Sequence, residues 1–201
     1  MPVNTTMILP SHGPVTGNTV VTVSGLNFVA TNETTVRFVN QANSLVSTVS
    51  ASFVDSQHVT CITPEFSMPV IADVSVALNG QQYTDDTVPF SFYVTPVTVI
   101  STSPMSGPVS GNTMLDIYGA NFTDTSEIIV RFQSTEDTNI KSYANGSFVS
   151  NSQIRCATPS LDMTSSMATV EVALNGQQFT NNGVQFFYYG MIGSSDVTLT
   201  N

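Results

Sequence analysis

Tryptophan is absent from this chain, and positive charge nearly so. Arg37, Arg131, Lys141 and Arg155 are the only lysines and arginines, against 14 acidic residues, giving a net charge of −10. A nucleic-acid surface needs a basic footprint that displaces counterions, and four scattered cations do not build one. The same scarcity argues against binding an anionic membrane surface. Long apolar runs are missing too: none approaches the roughly 18–20 residues needed to cross a bilayer. The opening MPVNTTMILP has neither a charged start nor a long apolar stretch, so it does not read as a secretory leader. If the protein is secreted, the leader was removed or lies outside this stretch. With so few lysines, the surface must be solvated mainly by Thr, Ser, Asn and Gln. That composition suits an extracellular, cell-surface or virion setting better than cytosol.

What is present is a repeat. GPVTGNT at 13–19 returns as GPVSGNT at 107–113, VRF at 36–38 returns at 130–132, and ALNGQQ at 77–82 returns at 173–178. Pro10, Gly13, Gly25, Asn27 and Phe28 match Pro104, Gly107, Gly119, Asn121 and Phe122 at an offset of 94. Phe53, Cys61 and Pro64 match Phe148, Cys156 and Pro159 at 95; Asn79, Gly80 and Phe90 match Asn175, Gly176 and Phe186 at 96. Single-residue insertions between patterned stretches belong in surface loops. A unit this long is a domain with its own core, not a solenoid repeat. The expected division is 1–95, 96–190 and a remainder, 191–201, that belongs to neither copy.

Apolar residues alternate with polar ones throughout. Val21 and Val23, then Leu115 and Ile117, point inward; Met114, Asp116 and Tyr118 point outward. Val36 and Phe38 flank outward Arg37, as Val130 and Phe132 flank Arg131. Val74, Val76 and Leu78 alternate with Ser75 and Ala77, and Val170, Val172 and Leu174 with Glu171 and Ala173. This predicts half-buried strands with one wet face. Asn79-Gly80 and Asn175-Gly176 predict tight type I′ hairpins. Short strands with a turn every 8–12 residues point to an all-β fold, two tandem immunoglobulin-like β-sandwiches.

The order Pro-x-x-Gly-Pro-Val-x-Gly-Asn-Thr, a strand, Gly-x-Asn-Phe, Cys-x-Thr-Pro, an Asn-Gly turn and an aromatic strand occurs twice, over about 7–95 and 97–190. It resembles the IPT/TIG family of immunoglobulin-like domains. The resemblance implies a non-catalytic binding or adhesion module of the kind found in plexins, surface proteins and some transcription factors. The family usually has Gly-Gly where this chain has Gly17-Asn18 and Gly111-Asn112; Asn also tolerates positive φ. The junction at Thr95-Pro96 is short and restricted by proline, which predicts a stiff, rod-like pair.

Candidate chemistry is sparse. Cys61 and Cys156 occupy equivalent inward positions of separate sandwiches, too far apart for a disulfide, and read as core thiols. His12 and His58 have no counterparts in the other copy and no zinc spacing. Asp85-Asp86 and Glu136-Asp137 read as solvated loop acids. No cofactor or metal is expected. Four sequons make Asn4, Asn32, Asn121 and Asn145 candidate N-glycosylation sites, with Asn32 and Asn145 in the variable regions and Asn121 equally explained as a turn residue. The expected partner is a protein, or a second copy engaged through loops or edge strands, with a glycan as a further option. The expected role is an extracellular binding or adhesion module. The alternative is a structural subunit of a filament, coat or virion surface, assembled through edge strands or the 191–201 tail.

Overall fold

The computed structural model describes residues 2–162 and 166–190, and among these there is no helix. By compactness the described chain divides into two units, one of residues 2–96 with 175–178 and one of residues 97–174 with 179–190. The first contains β1 (Asn4–Leu9), β2 (His12–Pro14), β3 (Val20–Leu26), β4 (Thr35–Asn40), β5 (Val46–Asp55), β6 (His58–Ile62), β7 (Val70–Ala77) and β8 (Val88–Tyr93). The second contains β9 (Thr98–Ser103), β10 (Ser106–Pro108), β11 (Met114–Ala120), β12 (Ile129–Ser134), β13 (Lys141–Asn145), β14 (Ser147–Ser150), β15 (Gln153–Ala157), β16 (Ser166–Ala173) and β17 (Gln185–Tyr189). The predicted all-β, immunoglobulin-like architecture is what forms.

Each unit has two layers. In the second, β9-β11-β15-β14 runs in the order β14-β15-β11-β9, facing a sheet ordered β10-β17-β16-β12-β13. In the first, the corresponding strands form one continuous order, β1-β3-β6-β5-β4-β7-β8-β2. The difference lies in β5. Its first half pairs with β4 and its second half with β6, so one strand passes from layer to layer. In the second unit this path is broken at Gly146, between β13 and β14. A Cβ there would lie 2.5 Å from the Ile128 side chain. Ala51 donates to the Thr34 carbonyl as Gly146 donates to that of Ile128, so the first unit fits a Cβ where it carries the smaller Thr34.

The cores follow from the alternation. Val21, Val23, Phe38, Val74, Phe90 and Phe92 are buried in the first unit, and Leu115, Ile117, Phe132, Val170, Phe186 and Tyr188 in the second. Each such side chain contributes on the order of 1.5–3 kcal/mol by leaving water. Phe38 meets Phe90 and Phe92 edge-on, with ring centroids 6.0 and 6.1 Å apart. Phe132 meets Phe186 and Tyr188 in the same way at 6.2 and 6.1 Å. Where Phe92 becomes Tyr188, the added hydroxyl donates to the Pro159 carbonyl at 3.1 Å.

Two local expectations need correction. The Asn-Gly pairs do not form two-residue hairpins: β7 and β8 are separated by residues 78–87, and β16 and β17 by residues 174–184. A type I′ turn needs positive φ at both residues. Only the glycines adopt it, Gly80 at 67° and Gly176 at 71°. The asparagines instead accept backbone hydrogen bonds: Asn79 Oδ1 from Gln81 and Gln82, and Asn175 Oδ1 from Gln177 and Gln178. The loop then folds back on its strand, with Thr84 N–H donating to Val76 and Thr180 N–H to Val172. That return covers the face expected to be wet. Ser75, Ala77, Glu171 and Ala173 are all buried. The tail at 191–201, expected as a remainder or a donated strand, lies outside the described residues.

Close approach of backbone explains the shared Gly-x-Asn-Phe. A Cβ on Gly25 would sit 2.0 Å from the Asn4 carbonyl oxygen, and one on Gly119 2.0 Å from that of Thr98. Asn27 and Asn121 then turn the chain at φ 64° and 63°. Replacing Gly119 by Ala should therefore lower stability by about 2–4 kcal/mol through overpacking. Urea unfolding followed by far-UV circular dichroism measures this; a variant as stable as the parent contradicts the geometry.

Candidate functional site

The loops that fold back across the outer faces carry a feature common to both units. Arg37 lies over the ring of Tyr83 at 4.2 Å, and Arg131 over that of Phe179 at 4.6 Å. Each pairing ties a strand of the sheet to its returning loop through a cation–π contact. Tyr83 and Phe179 both follow Asn-Gly-Gln-Gln, so the repeat itself held the signal that sequence reasoning missed.

Around this shared contact the two units differ. Arg37 Nε donates to Ser75 Oγ at 3.3 Å, and Tyr83 hydroxyl meets Thr35 Oγ1 at 3.0 Å. In the second unit the place of Ser75 is taken by Glu171, only 2% exposed. A buried carboxylate is tolerated when hydrogen bonds replace water. Glu171 accepts from the Thr180 hydroxyl, from Asn182 N–H at 3.3 Å and from Gly183 N–H at 3.1 Å. It thereby fixes the returning loop. Arg131 Nε has no hydrogen-bond partner among the described residues. Tyr143, directly across from Arg131 on β13, is 50% exposed, and its ring centroid lies 6.1 Å from that of Phe179.

The opposite sheet of the second unit bears an Arg–Asp ion pair between β15 and β11. Arg155 Nε meets Asp116 Oδ1 at 2.6 Å and Nη2 meets Oδ2 at 3.1 Å. The Arg155 hydrogen bonds hold the Asp116 carboxyl below the ordinary carboxylate range. The corresponding residues in the first unit are Thr22 and Thr60. Three of the four cations thus fall in the second unit.

An IPT/TIG domain model matches residues 2–92 and again residues 96–188. The chain belongs to the IPT/TIG domain family. Its fold is similar to that of the plexin A4 extracellular region in a structure of domains 1 to 10, with a TM-score of 0.55 and 20% identity over 94% of this chain. A second plexin A4 structure, of domains 1 to 8, gives 0.49 and 21% over 93%. The Escherichia coli adhesin FdeC gives 0.34 and 12% over 96% of this chain and 67% of its own. The IPT/TIG pair spans only 16% and 18% of the two plexin chains.

The IPT/TIG units place the sequence-derived candidates separately rather than in one site. Asn4 is half-buried on β1; Asn32 is exposed between β3 and β4; Asn121 is half-buried at its positive-φ turn; Asn145 is exposed at the end of β13. His58 Nδ1 lies 2.8 Å from Asp55, in a half-exposed pair, and His12 Nδ1 lies 2.9 Å from Ser11 Oγ. Asp85, Asp86, Glu136 and Asp137 are exposed. Among the described residues no three His, Cys, Asp or Glu side chains converge as metal ligands.

Cys61 and Cys156 are free and buried. Desolvation pushes both thiols from the ordinary 9.0 up to about 12. The folded state holds these protons more tightly than the unfolded one. Their contribution is therefore complete below about pH 9 and is lost as pH rises towards 12. At pH 8 iodoacetamide should modify neither cysteine in the native chain but both in urea, and stability should decline above about pH 9. Rapid native alkylation contradicts this placement.

Proposed function

We propose that this chain is a non-catalytic binding or adhesion module of two units, displayed at an extracellular or otherwise exposed surface, with a protein as its partner. The observation that carries the reading is the division between what the two units share and what they do not. Shared residues build the cores, the tight glycine approaches and the Arg–aromatic contacts. Unshared residues change the chemistry of the outward faces. Duplicated scaffolds with diverged surfaces suit recognition, because binding residues vary where packing does not constrain them. The Lys-poor, Thr/Asn-rich composition and the exposure of Asn32 support a secreted or surface setting. The plexin A4 structure is of an extracellular region, and we extend that setting to this chain.

A structural subunit of a filament, coat or virion surface is the second reading. What favours it is the set of strands at the ends of the sheet orders: β1 and the short β2 in the first unit, and β9, the short β10, β13 and β14 in the second. Such edges serve β-strand addition. The two readings part in solution. A binding module stays a single species by size-exclusion chromatography with light scattering over a wide concentration range, whereas a subunit that assembles through its edges grows. For location, antibodies raised against the chain should label intact, unpermeabilised cells or particles of the source. Labelling only after permeabilisation contradicts surface display.

A further inference from the structure

We propose that the outer face and open edge of β13 form a docking site for an extended, carboxylate-bearing segment of a partner protein, which adds to the sheet as a further strand. The inference deepens the binding-module reading above and rests on it. β13 is the last strand of its sheet, hydrogen-bonded on one side to β12. An edge of this kind leaves backbone donors and acceptors available to an incoming strand. Along β13, Lys141, Tyr143 and Asn145 are exposed and alternate with the half-buried Ser142 and Ala144. They stand on the same side as the residues they face on β12: Gln133 opposite Lys141, Arg131 opposite Tyr143, and Ile129 opposite Asn145.

This face gathers two of the chain's four cations and two rings, Tyr143 and Phe179. Of the acids near it, Asp162 lines the same surface cleft as Lys141 and Glu136 is exposed in the loop before β13, while two others are engaged. Glu171, across from Arg131, is buried and holds the 180–183 loop. Asp137, before β13, accepts from the backbone and side chain of Asn139. An added strand projects alternate side chains beside Lys141, Tyr143 and Asn145. A carboxylate next to Lys141 and an apolar or aromatic group next to Tyr143 complete cross-strand pairs on the side of β13 away from β12. Tyrosine and arginine are also the residues that most often anchor protein interfaces.

Charge selects the occupant. A second copy of this edge brings another Lys141 rather than a carboxylate, on a chain of net charge −10. A short acidic segment meets the same overall field, but at about 0.15 M salt the Debye length is about 8 Å, so contact pairs outlast it. The first unit is the internal control. It has the same Arg–aromatic contact, in Arg37 and Tyr83, but Val46 and Thr48 stand where Lys141 and Tyr143 stand.

The test uses the whole chain and fluorescein-labelled ten-residue peptides followed by anisotropy. A peptide alternating Glu and Val should bind. Its Lys–Val counterpart and a backbone N-methylated Glu–Val version should bind at least about tenfold more weakly. Tyr143→Ala and Lys141→Glu, both at exposed positions, should weaken the Glu–Val peptide by a similar factor, while Thr48→Ala leaves it unchanged. Hydrogen exchange should show new protection at β13 amides. Absence of binding, equal binding of the Lys–Val or N-methylated peptide, or equal loss with Thr48→Ala overturns the proposal. Binding of oligogalacturonate without the peptide also overturns it, in favour of an acidic glycan on the same rings. In either case surface display, tested by antibody labelling, stands or falls separately.

Discussion

Edge-on packing of aromatic rings in each sandwich is the constraint from which the rest follows. Phe38 against Phe90 and Phe92, and Phe132 against Phe186 and Tyr188, pin β4 to β8 and β12 to β17 from the inside. Such pairs add roughly 0.5–1.5 kcal/mol each beyond the area they bury. With the inner faces fixed, strand register is fixed too, since a one-residue slip would turn every ring outward. Outward positions are then determined to a residue. The Arg37–Tyr83 and Arg131–Phe179 contacts, and the exposed row on β13, inherit their geometry from that register.

Much of this was legible in the sequence because it depends on period and spacing. Val21, Phe38, Leu115 and Phe132 lie inward as the alternation requires, and the family membership was carried by motifs that occur twice in one order. What period could not show is what covers an outer face. Ser75 and Glu171 sit in phase with exposed positions, yet both are buried, because a loop returns across them. The return depends on Asn79 and Asn175 capping backbone amides and on Thr84 and Thr180 rejoining the strand. Asn-Gly by itself suggests a tighter turn and an open face. Tyr143 carries no signal of its own in the sequence for a related reason: an exposed tyrosine on an edge strand acquires meaning only beside Arg131 on the neighbouring strand and Phe179 on the returning loop.

Duplication gives the molecule two copies of one scaffold and freedom to differentiate them. The first unit has Ser75 and Thr48 around Arg37 on its outer sheet face. The second places Glu171 beneath the loop and Lys141 and Tyr143 at the rim. The buried glutamate holds the loop that presents Phe179, and Phe179 stacks under Arg131. A structural pairing in the first unit thereby becomes the floor of a recognition surface in the second.

Exchanging the faces tests this account most directly. Val46→Lys and Thr48→Tyr in the first unit, combined with Lys141→Val and Tyr143→Thr in the second, alter only outward side chains of β5 and β13. The account predicts a chain whose urea unfolding matches the parent within about 1 kcal/mol, and in which peptide-induced hydrogen-exchange protection moves from β13 to the first half of β5. Protection that stays at β13, or an exchanged chain that fails to fold, would contradict the claim that a common core supports independently varied faces.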